Sequence, residues 1–383
     1  MAKTLAELEA GRPPDFLFGT ETDFHHGQWA SEGRLVDLGD ALGSLASLFD
    51  REALDRATLP DATTGRRSLH ALPMGRSTFH VHVWKSLLEQ AGFTLADIPK
   101  EWEPFWSFWC DRVQPAVREA TGRDDIWGIG LSMGASSVDT IAGFAQFVAA
   151  YEADYVTRDG RLVIDEPLVR NRLVKVLDSY TAIWRKGCTP PASVDWDNGG
   201  NNKAFPEQRI VMTGNGSLAI PRALLPARPE DYYKNAVTLE WPSGAYGQPL
   251  AIRNGFWEAV VFKAGGHAAV AKEFVRFLVE DGWLGHWLDF AGDRLLPPMP
   301  ALIERPFWLD PGDPHRMAAA IQFLTRPRDY SDAYDAVSGD WRHRKVLAEH
   351  VWAKAVHRIA VGGLTPEQAA DEAIARIKQL LSE

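Results

Sequence analysis

The chain has 383 residues, of which 45% are apolar and 24% are charged, and it carries a formal net charge of −10. These values are ordinary for a globular protein long enough to form two domains, and the negative charge argues against nucleic acid or an anionic membrane as the main partner. No run of about eighteen apolar residues occurs, so we expect no membrane-spanning segment.

The N-terminus and the cysteines bear on the compartment and the redox state. Residues 1–14 contain no apolar segment of the kind that a signal peptide requires. Cys110 and Cys188 lack the spacing of metal ligands and do not form a disulfide framework. We therefore expect a buried, unreactive pair of thiols.

Apolar periodicity predicts strands that alternate with helices along the chain. The predicted helices lie at 4–10, 42–49, 85–91, 101–113, 141–148, 169–184, 270–278 and 365–381. The predicted strands lie at 16–18, 68–73, 79–84, 126–131, 209–213 and 257–263, with a hairpin around Asp159-Gly160. The alternation, without an internal repeat or a low-complexity linker, indicates an α/β fold.

Two polar segments are candidate walls of a binding site. Residues 20–23 follow the predicted strand 16–18, and residues 194–203 are too polar for a core but contain one tryptophan. In open α/β sheets, ligands bind outside the carboxyl ends of the strands. Sugar recognition needs planar hydrogen-bonding side chains and an aromatic face, and the chain is rich in such rings, with 15 Trp.

Short motifs follow one another in an order that is more informative than any one of them. They are Pro14-Asp15, the segment 33–38, Ala71-Leu72-Pro73, Ala91-Gly92, Pro99 to Trp102, Asn215-Gly216, the segments 242–244 and 271–278, and Pro366–Ala369. In this order they resemble the extracellular solute-binding proteins of ABC importers, the carbohydrate-type family that includes maltose-binding protein.

The resemblance implies a two-lobed α/β fold of the periplasmic-binding-protein type II, with the ligand in the cleft between the lobes. It implies lobe one at residues 1–82 plus 254–297 and lobe two at 83–253 plus 298–383. It also implies a monomeric, non-catalytic protein without a cofactor, located in the periplasm or outside the cell, whose partners are a sugar or polyol and the transmembrane subunits of a permease. Family members carry a further strand and helix ahead of the present Met1, so lobe one is expected to be truncated.

The predicted ligand-binding residues lie on loops at the ends of the predicted strands. They are Thr20, Glu21, Thr22, Asp23, Arg76, Ser77, Ser132, Trp196, Asn198, Asn202, Asn215, Asn254 and Trp257. The carboxylates of Glu21 and Asp23 leave a cationic, polyamine-like ligand open as a variant of the same binding function.

Two further functions remain open from the residues alone. Gly130-Leu131-Ser132-Met133-Gly134 matches the nucleophile motif of α/β-hydrolase esterases, with Asp293 and His315 as possible partners of Ser132, although no oxyanion motif lies upstream. His25-His26, or His80 with His82, are candidate metal ligands. The metal site ranks below the binding protein, because isolated exposed histidines are commoner than metal sites. The esterase ranks below it as well, because the oxyanion motif is missing.

Overall fold

The computed structural model describes residues 2–19, 22–61, 64–157, 161–250, 254–280, 282–291, 294–325 and 341–382. The strands are β1 (Phe16–Gly19), β2 (Thr58–Pro60), β3 (Arg67–Leu69), β4 (Leu72–Thr78), β5 (His80–Trp84), β6 (Trp127–Gly130), β7 (Ile210–Asn215), β8 (Ala236–Leu239) and β9 (Asn254–Val261). The hairpin expected around Asp159-Gly160 has its tip outside the described residues.

Helices surround these strands. They are α1 (Ala2–Glu9), α2 (Thr22–Ser31), α3 (Gly39–Leu42), α4 (Arg51–Ala57), α5 (Lys85–Gln90), α6 (Trp102–Ser107), α7 (Gln114–Thr121), α8 (Val138–Ala150), α9 (Pro167–Arg185), α10 (Gly200–Ala204), α11 (Ala219–Arg222), α12 (Ala268–Glu280), α13 (Trp283–Phe290), α14 (Pro300–Ile303), α15 (Pro314–Thr325), α16 (His343–Ala348), α17 (Val351–Ala360) and α18 (Pro366–Ser382). No helix in the described part of the chain has the length and apolarity needed to cross a bilayer.

Local sequence signals account for several helix ends. Gly92 and Gly187 follow α5 and α9 with φ angles of 80° and 71°, a left-handed conformation that glycine adopts without steric cost. The Ser137 hydroxyl accepts a hydrogen bond from the Thr140 amide at the start of α8, which satisfies one of the amides that the first turn leaves unpaired. The expected helix ends at Gly92 and Gly187 are confirmed.

The described strands form two larger sheets, and each sheet organises one lobe. Lobe one contains the antiparallel sheet β1-β9-β4, covered by apolar side chains from the ranges 5–74 and 256–302. Lobe two contains the sheet β6-β7-β5-β8, in which only the β6–β7 pair is parallel. Its core draws on the ranges 79–250 and 346–381. The chain passes from one sheet to the other at Phe79, between β4 and β5.

A cluster of aromatic rings fills the core of lobe two. Trp102, Trp106 and Trp109 are at most 8% exposed, and the ring of Trp102 lies edge-on to Phe147 with centroids 4.9 Å apart. All three tryptophans lie in the predicted helix 101–113, at a helical spacing that places them on one side and predicts a buried face, and the structure confirms this burial. Burying large aromatic surface is strongly stabilising, and edge-to-face pairs of this kind add to it.

The prediction of two free thiols is wrong, because Cys110 and Cys188 form a disulfide with Cα atoms 5.0 Å apart. Tertiary contacts place the two cysteines side by side. Gln114 donates a 2.9 Å hydrogen bond to the Gly187 carbonyl and accepts one of 2.8 Å from the Gly128 amide. The segment 108–113 and the end of α9 are therefore both attached to β6.

The polar segment after β1 was predicted as a loop, and most of it is helical. Helix α2 begins at Thr22 and buries His26, Trp29 and Ala30 against lobe one. The ring of Trp29 lies 5.2 Å from that of Phe262, so this indole belongs to the core. The helix keeps a polar sequence because His26 is held by charged neighbours, described below.

Candidate functional site

A cavity of about 220 Å³ lies between the two lobes. Lobe one contributes Phe24, Arg56, Ser77, Gly255, Phe256, Trp257, Arg294 and Leu295. Lobe two contributes Phe79, Val138, Asp139, Ile141, Ala142, Ala145, Gln146, Asn198, Asn202, Asn215, Gly216, Ser217, Ala219 and Leu347. A ligand in this cavity would contact both lobes at once.

The wall from lobe one combines two strands with an aromatic ring. Ser77 on β4 lies opposite Gly255 on β9, which leaves the serine hydroxyl beside a residue without a side chain. Trp257 is two residues further along β9 and is partly buried. The Arg294 guanidinium carbon lies 5.0 Å from the centroid of the Trp257 ring, a cation–π distance.

The wall from lobe two is a network of three asparagines. The side-chain oxygen Oδ1 of Asn198 accepts a 2.7 Å hydrogen bond from the Val138 amide and therefore caps α8 together with Ser137. Asn215 donates to the Asn202 side-chain oxygen at 3.0 Å, and Asn202 donates to the Asn198 backbone carbonyl at 3.2 Å. These bonds fix the orientation of the amides, and each side-chain amide retains capacity for further hydrogen bonds.

Asp139, in the first turn of α8, is an acidic group of this wall. Burial raises the pKa of its carboxyl to about 7; the nearby Asp197 carboxylate adds to the rise, and Asn201 and Arg294 oppose it. One of its oxygens, Oδ2, is buried without a hydrogen-bond partner among the described residues. A buried carboxylate oxygen without a donor is costly, which agrees with the raised pKa of this carboxyl.

Five of the predicted residues line the cavity, namely Ser77, Asn198, Asn202, Asn215 and Trp257. Thr20 and Glu21 lie outside the described residues, as do the side chains of Asp23 and Asn254. Thr22 is fully buried at the start of α2 and is not part of the lining.

Three other predicted residues do not line the cavity. Arg76 is fully buried, pairs with Asp50 and Glu52, and has its guanidinium carbon 4.8 Å and 4.5 Å from the ring centroids of Phe256 and Phe323. Its charge is therefore satisfied inside the fold. The ring of Trp196 packs where a side chain at Gly200 would lie, since an added Cβ there would be 2.2 Å from the indole. Ser132 is the third such residue.

The hydrolase alternative is not supported. Ser132 is 4% exposed, accepts a hydrogen bond from the Thr140 hydroxyl at 3.0 Å, and lies within hydrogen-bond distance of Ser137 Oγ and the Trp196 carbonyl. His315 uses both ring nitrogens elsewhere, on the Thr238 hydroxyl at 2.7 Å and on the Tyr232 carbonyl at 2.8 Å. The other proposed partner, Asp293, lies outside the described residues. Ser132 therefore has no general base beside it in the part of the chain that is described.

The histidines considered as metal ligands have other partners. His80 Nδ1 lies 3.0 Å from the Gln322 side-chain oxygen, and His82 contacts Thr238 at 3.0 Å and the Ser217 carbonyl at 3.1 Å. The His25 ring stacks on Trp29 with centroids 5.5 Å apart. Among the described residues, no three His, Cys, Asp or Glu side chains form a group that could hold a metal ion.

Helix α16 joins the two lobes beside the cavity. Arg344 Nη1 lies 3.3 Å from His26 Nδ1, and the same nitrogen of His26 lies 3.0 Å from Glu258 on β9. Burial raises the pKa of Glu258 to about 7, whereas burial and the Arg344 charge lower the pKa of His26. Trp341, two residues before α16, lies against Gly27, where an added Cβ would be 2.6 Å from Cβ of Trp341. The backbone of α2 and the start of α16 are therefore in close contact.

The sequence model of bacterial extracellular solute-binding proteins matches residues 1–283 of this chain, which is well over half of its length. The chain belongs to this family. Family members are transport proteins that bind solutes outside the cytoplasm, so the resemblance seen in the sequence motifs is confirmed. None of the curated proteins matches the chain.

Solved structures of other solute-binding proteins have the same fold. A protein from Thermotoga lettingae TMO bound with α-D-tagatose and the maltose-bound MalE3 of T. maritima each superpose with a TM-score of 0.76, at 18% identity, over 99% of this chain and 88% of theirs. A protein from Agrobacterium radiobacter K84 in complex with ribitol has a TM-score of 0.72 at 18% identity, over 99% of this chain and 88% of its own. The predicted two-lobed α/β fold is therefore confirmed for this solute-binding protein.

Proposed function

We propose that this solute-binding protein is the substrate-binding component of an ABC importer and captures a neutral carbohydrate or polyol in the cavity between its lobes. The observation that carries the proposal is the composition of the two cavity walls. Lobe two presents three oriented side-chain amides and a carboxyl, and lobe one presents an indole and a serine hydroxyl. Amides and carboxylates bind hydroxyl groups, while aromatic and aliphatic groups cover the apolar face of a sugar ring.

The related structures support the same ligand class. The three that are described above hold tagatose, maltose and ribitol, which are two sugars and one polyol. Of the predicted site residues, we propose Ser77, Asn198, Asn202, Asn215 and Trp257 as ligand contacts, because they line the cavity. A polyamine-like ligand is less favoured, because Arg294 brings a positive charge to the same cavity.

The ligand would act by joining the lobes. We propose the division at residues 1–82 with 254–297 for lobe one and 83–253 with 298–383 for lobe two, with the first crossing moved to Phe79, because β5 pairs with β7 and β8 in the sheet of lobe two. The separate apolar cores support this division. The backbone pairing of Arg76 with Leu296 lies close to another crossing, whereas Arg253 lies outside the described residues. A ligand that contacts both lobes favours the closed form, and this form would dock on the permease as a monomer without catalysis.

The disulfide supports a location outside the cytoplasm, because disulfides persist in oxidising compartments such as the periplasm. This agrees with the family, whose members are extracellular.

A thermal-shift screen tests the proposed function. The protein is heated with a panel of neutral monosaccharides, disaccharides and polyols, and with polyamines. A ligand whose concentration is a hundred times its dissociation constant stabilises the folded state by about 2.7 kcal/mol. This stabilisation is readily measured as a rise in the melting temperature. The proposal predicts a rise with at least one neutral member. A rise with polyamines alone would replace the sugar by a cation, and no rise with any member would contradict the ligand class.

A further inference from the structure

Three charged side chains line the cavity, and they are Arg56, Asp139 and Arg294. Arg56 pairs with Glu52 in α4 of lobe one, which leaves Asp139 and Arg294, among the described residues, as opposite charges on opposite lobes. Asp139 belongs to α8 of lobe two, and Arg294 lies directly before Leu295 on the wall of lobe one. The charge of Arg294 acts on the Asp139 carboxyl, but no ion pair within 4.0 Å joins the two side chains in the described structure. A gap therefore separates them.

The occupant of that gap must satisfy two groups of opposite hydrogen-bonding character. A carboxylate only accepts hydrogen bonds and a guanidinium only donates them, whereas a hydroxyl does both. An ammonium group would pair with Asp139 and be repelled by Arg294. A carboxylate group of a ligand would pair with Arg294 and be repelled by Asp139. A pair of hydroxyls on one uncharged molecule satisfies both side chains without leaving either charge unpaired.

The surroundings hold both side chains in position for such a ligand. The guanidinium carbon of Arg294 lies 5.0 Å from the centroid of the Trp257 ring, and this cation–π contact restrains an otherwise exposed side chain at the wall of the cavity. Asp139 is fixed in the first turn of α8, whose N-terminus is capped by Ser137 and Asn198. Asp139 lines the cavity, so its carboxyl is an acceptor for a ligand bound there.

We propose that Asp139 and Arg294 together determine the charge selectivity of the cavity, by binding hydroxyl groups of a neutral sugar or polyol and by rejecting ligands that carry a net charge of either sign. This inference rests on the proposed function and names its selectivity residues. It also changes the role of Trp257, which supports Arg294 and contacts the ligand with the part of the ring that the guanidinium leaves free.

The test measures dissociation constants by calorimetry for three kinds of probe. They are the neutral ligand with the largest thermal shift, gluconate as an anion, and spermidine as a cation. The variants are Asp139→Asn and Arg294→Gln, and the control is Asp124→Asn, which removes an exposed carboxylate of lobe two that does not line the cavity. Circular dichroism and melting temperatures establish that each variant is folded.

We expect each cavity variant to bind the neutral ligand about tenfold or more weakly, because each loses a charge-assisted hydrogen bond. Asp139→Asn should gain affinity for gluconate and Arg294→Gln for spermidine, while Asp124→Asn should behave as the parent. Gains for the charged probes are decisive, since a merely structural role of either residue would not invert the charge preference.

The dependence on pH gives an independent readout. Hydroxyl groups donate to the ionised carboxylate, so affinity of the parent should rise with pH through about 7, where Asp139 titrates. The charged or titratable groups that act on this carboxyl are Asp197, Arg294 and Tyr180, and Asp139→Asn should flatten the profile. If the parent binds neutral sugars but the variants keep its charge preference and its pH profile, this inference is wrong and the proposed function stands. A parent that binds no neutral member of the panel overturns both.

Discussion

Removal of the disulfide is expected to destabilise lobe two by several kcal/mol. Cys110 and Cys188 are separated by 78 positions, and the loop that they close includes β6, α8 and α9. In the chain-entropy treatment, closing a loop of this length lowers the entropy of the unfolded chain by about 15 cal/mol/K, which corresponds to about 4.5 kcal/mol at room temperature. Measured values are commonly smaller, about 2–4 kcal/mol, so we expect a loss between these limits.

The assay is urea unfolding of the parent and of the double variant Cys110→Ser/Cys188→Ser, followed by tryptophan fluorescence and far-ultraviolet circular dichroism. The double variant leaves no lone thiol that could react. The reduced parent is the matched control, because it opens the same loop without changing a side chain other than the two sulfurs. Both should unfold at a lower urea concentration than the oxidised parent, in proportion to the lost free energy.

Two results would refute this reasoning. A thiol titration of the unreduced, denatured parent that finds both cysteines free would show that the bridge does not form. Equal urea midpoints for the oxidised parent and the double variant would show that the bridge does not lower the entropy of the unfolded chain. This would be the case if the denatured chain already kept these segments together.

Further predictions concern the core, the contact between the lobes and the response to acid. Trp109→Ala should cost about 3–5 kcal/mol of unfolding free energy, measured by urea unfolding, whereas a loss below 1 kcal/mol would contradict its place in the core. Arg344→Ala removes the contact of α16 with lobe one and should lower the melting temperature, and an unchanged melting curve would contradict a role for that contact. Burial lowers the pKa of His80 to about 4 and lowers the pKa values of His82 and His315. Because unfolded histidine titrates near 6.5, the stability contributed by the neutral His80 ring should be complete above that pH and decline toward pH 4, by about 2 kcal/mol at a pH of about 5. Asp139 and Glu258, whose pKa values are raised to about 7, have the opposite pH dependence. The loss is therefore measured as the difference in urea midpoint between the parent and His80→Gln across this range, and the same pH dependence in both would contradict the burial of this ring.

Local signals predicted the parts of this protein whose structure depends on neighbouring residues. The helix after Pro99 was predicted because Trp102, Trp106 and Trp109 recur at helical spacing, and Gly92 ends a helix because it can adopt a positive φ. Family membership followed from the succession of such segments, which is a property of the whole chain.

Long-range contacts account for what the sequence missed. Arginine usually lies at the protein surface, but Arg76 is buried because Asp50 and Glu52, at the start of α4, neutralise its charge. The spacing of Cys110 and Cys188 gives no indication of a bridge, since the folded chain alone brings them together. Asp139 was overlooked because its importance comes from burial and from Arg294, which lies in another lobe.

The position of β9 has a consequence for the order of folding. This strand is the centre of the sheet of lobe one, between β1 and β4, yet it is far downstream of both in the chain. During synthesis, β1 and β4 emerge without the strand that pairs them, and the strands of the other sheet are all complete by Leu239. In the full chain, too, the pairing of β1 and β4 with β9 closes a longer stretch of chain than any strand pair of the second sheet, and long-range pairing is slow. We therefore expect the sheet β1-β9-β4 to acquire protection from hydrogen exchange later than the sheet β6-β7-β5-β8 during refolding.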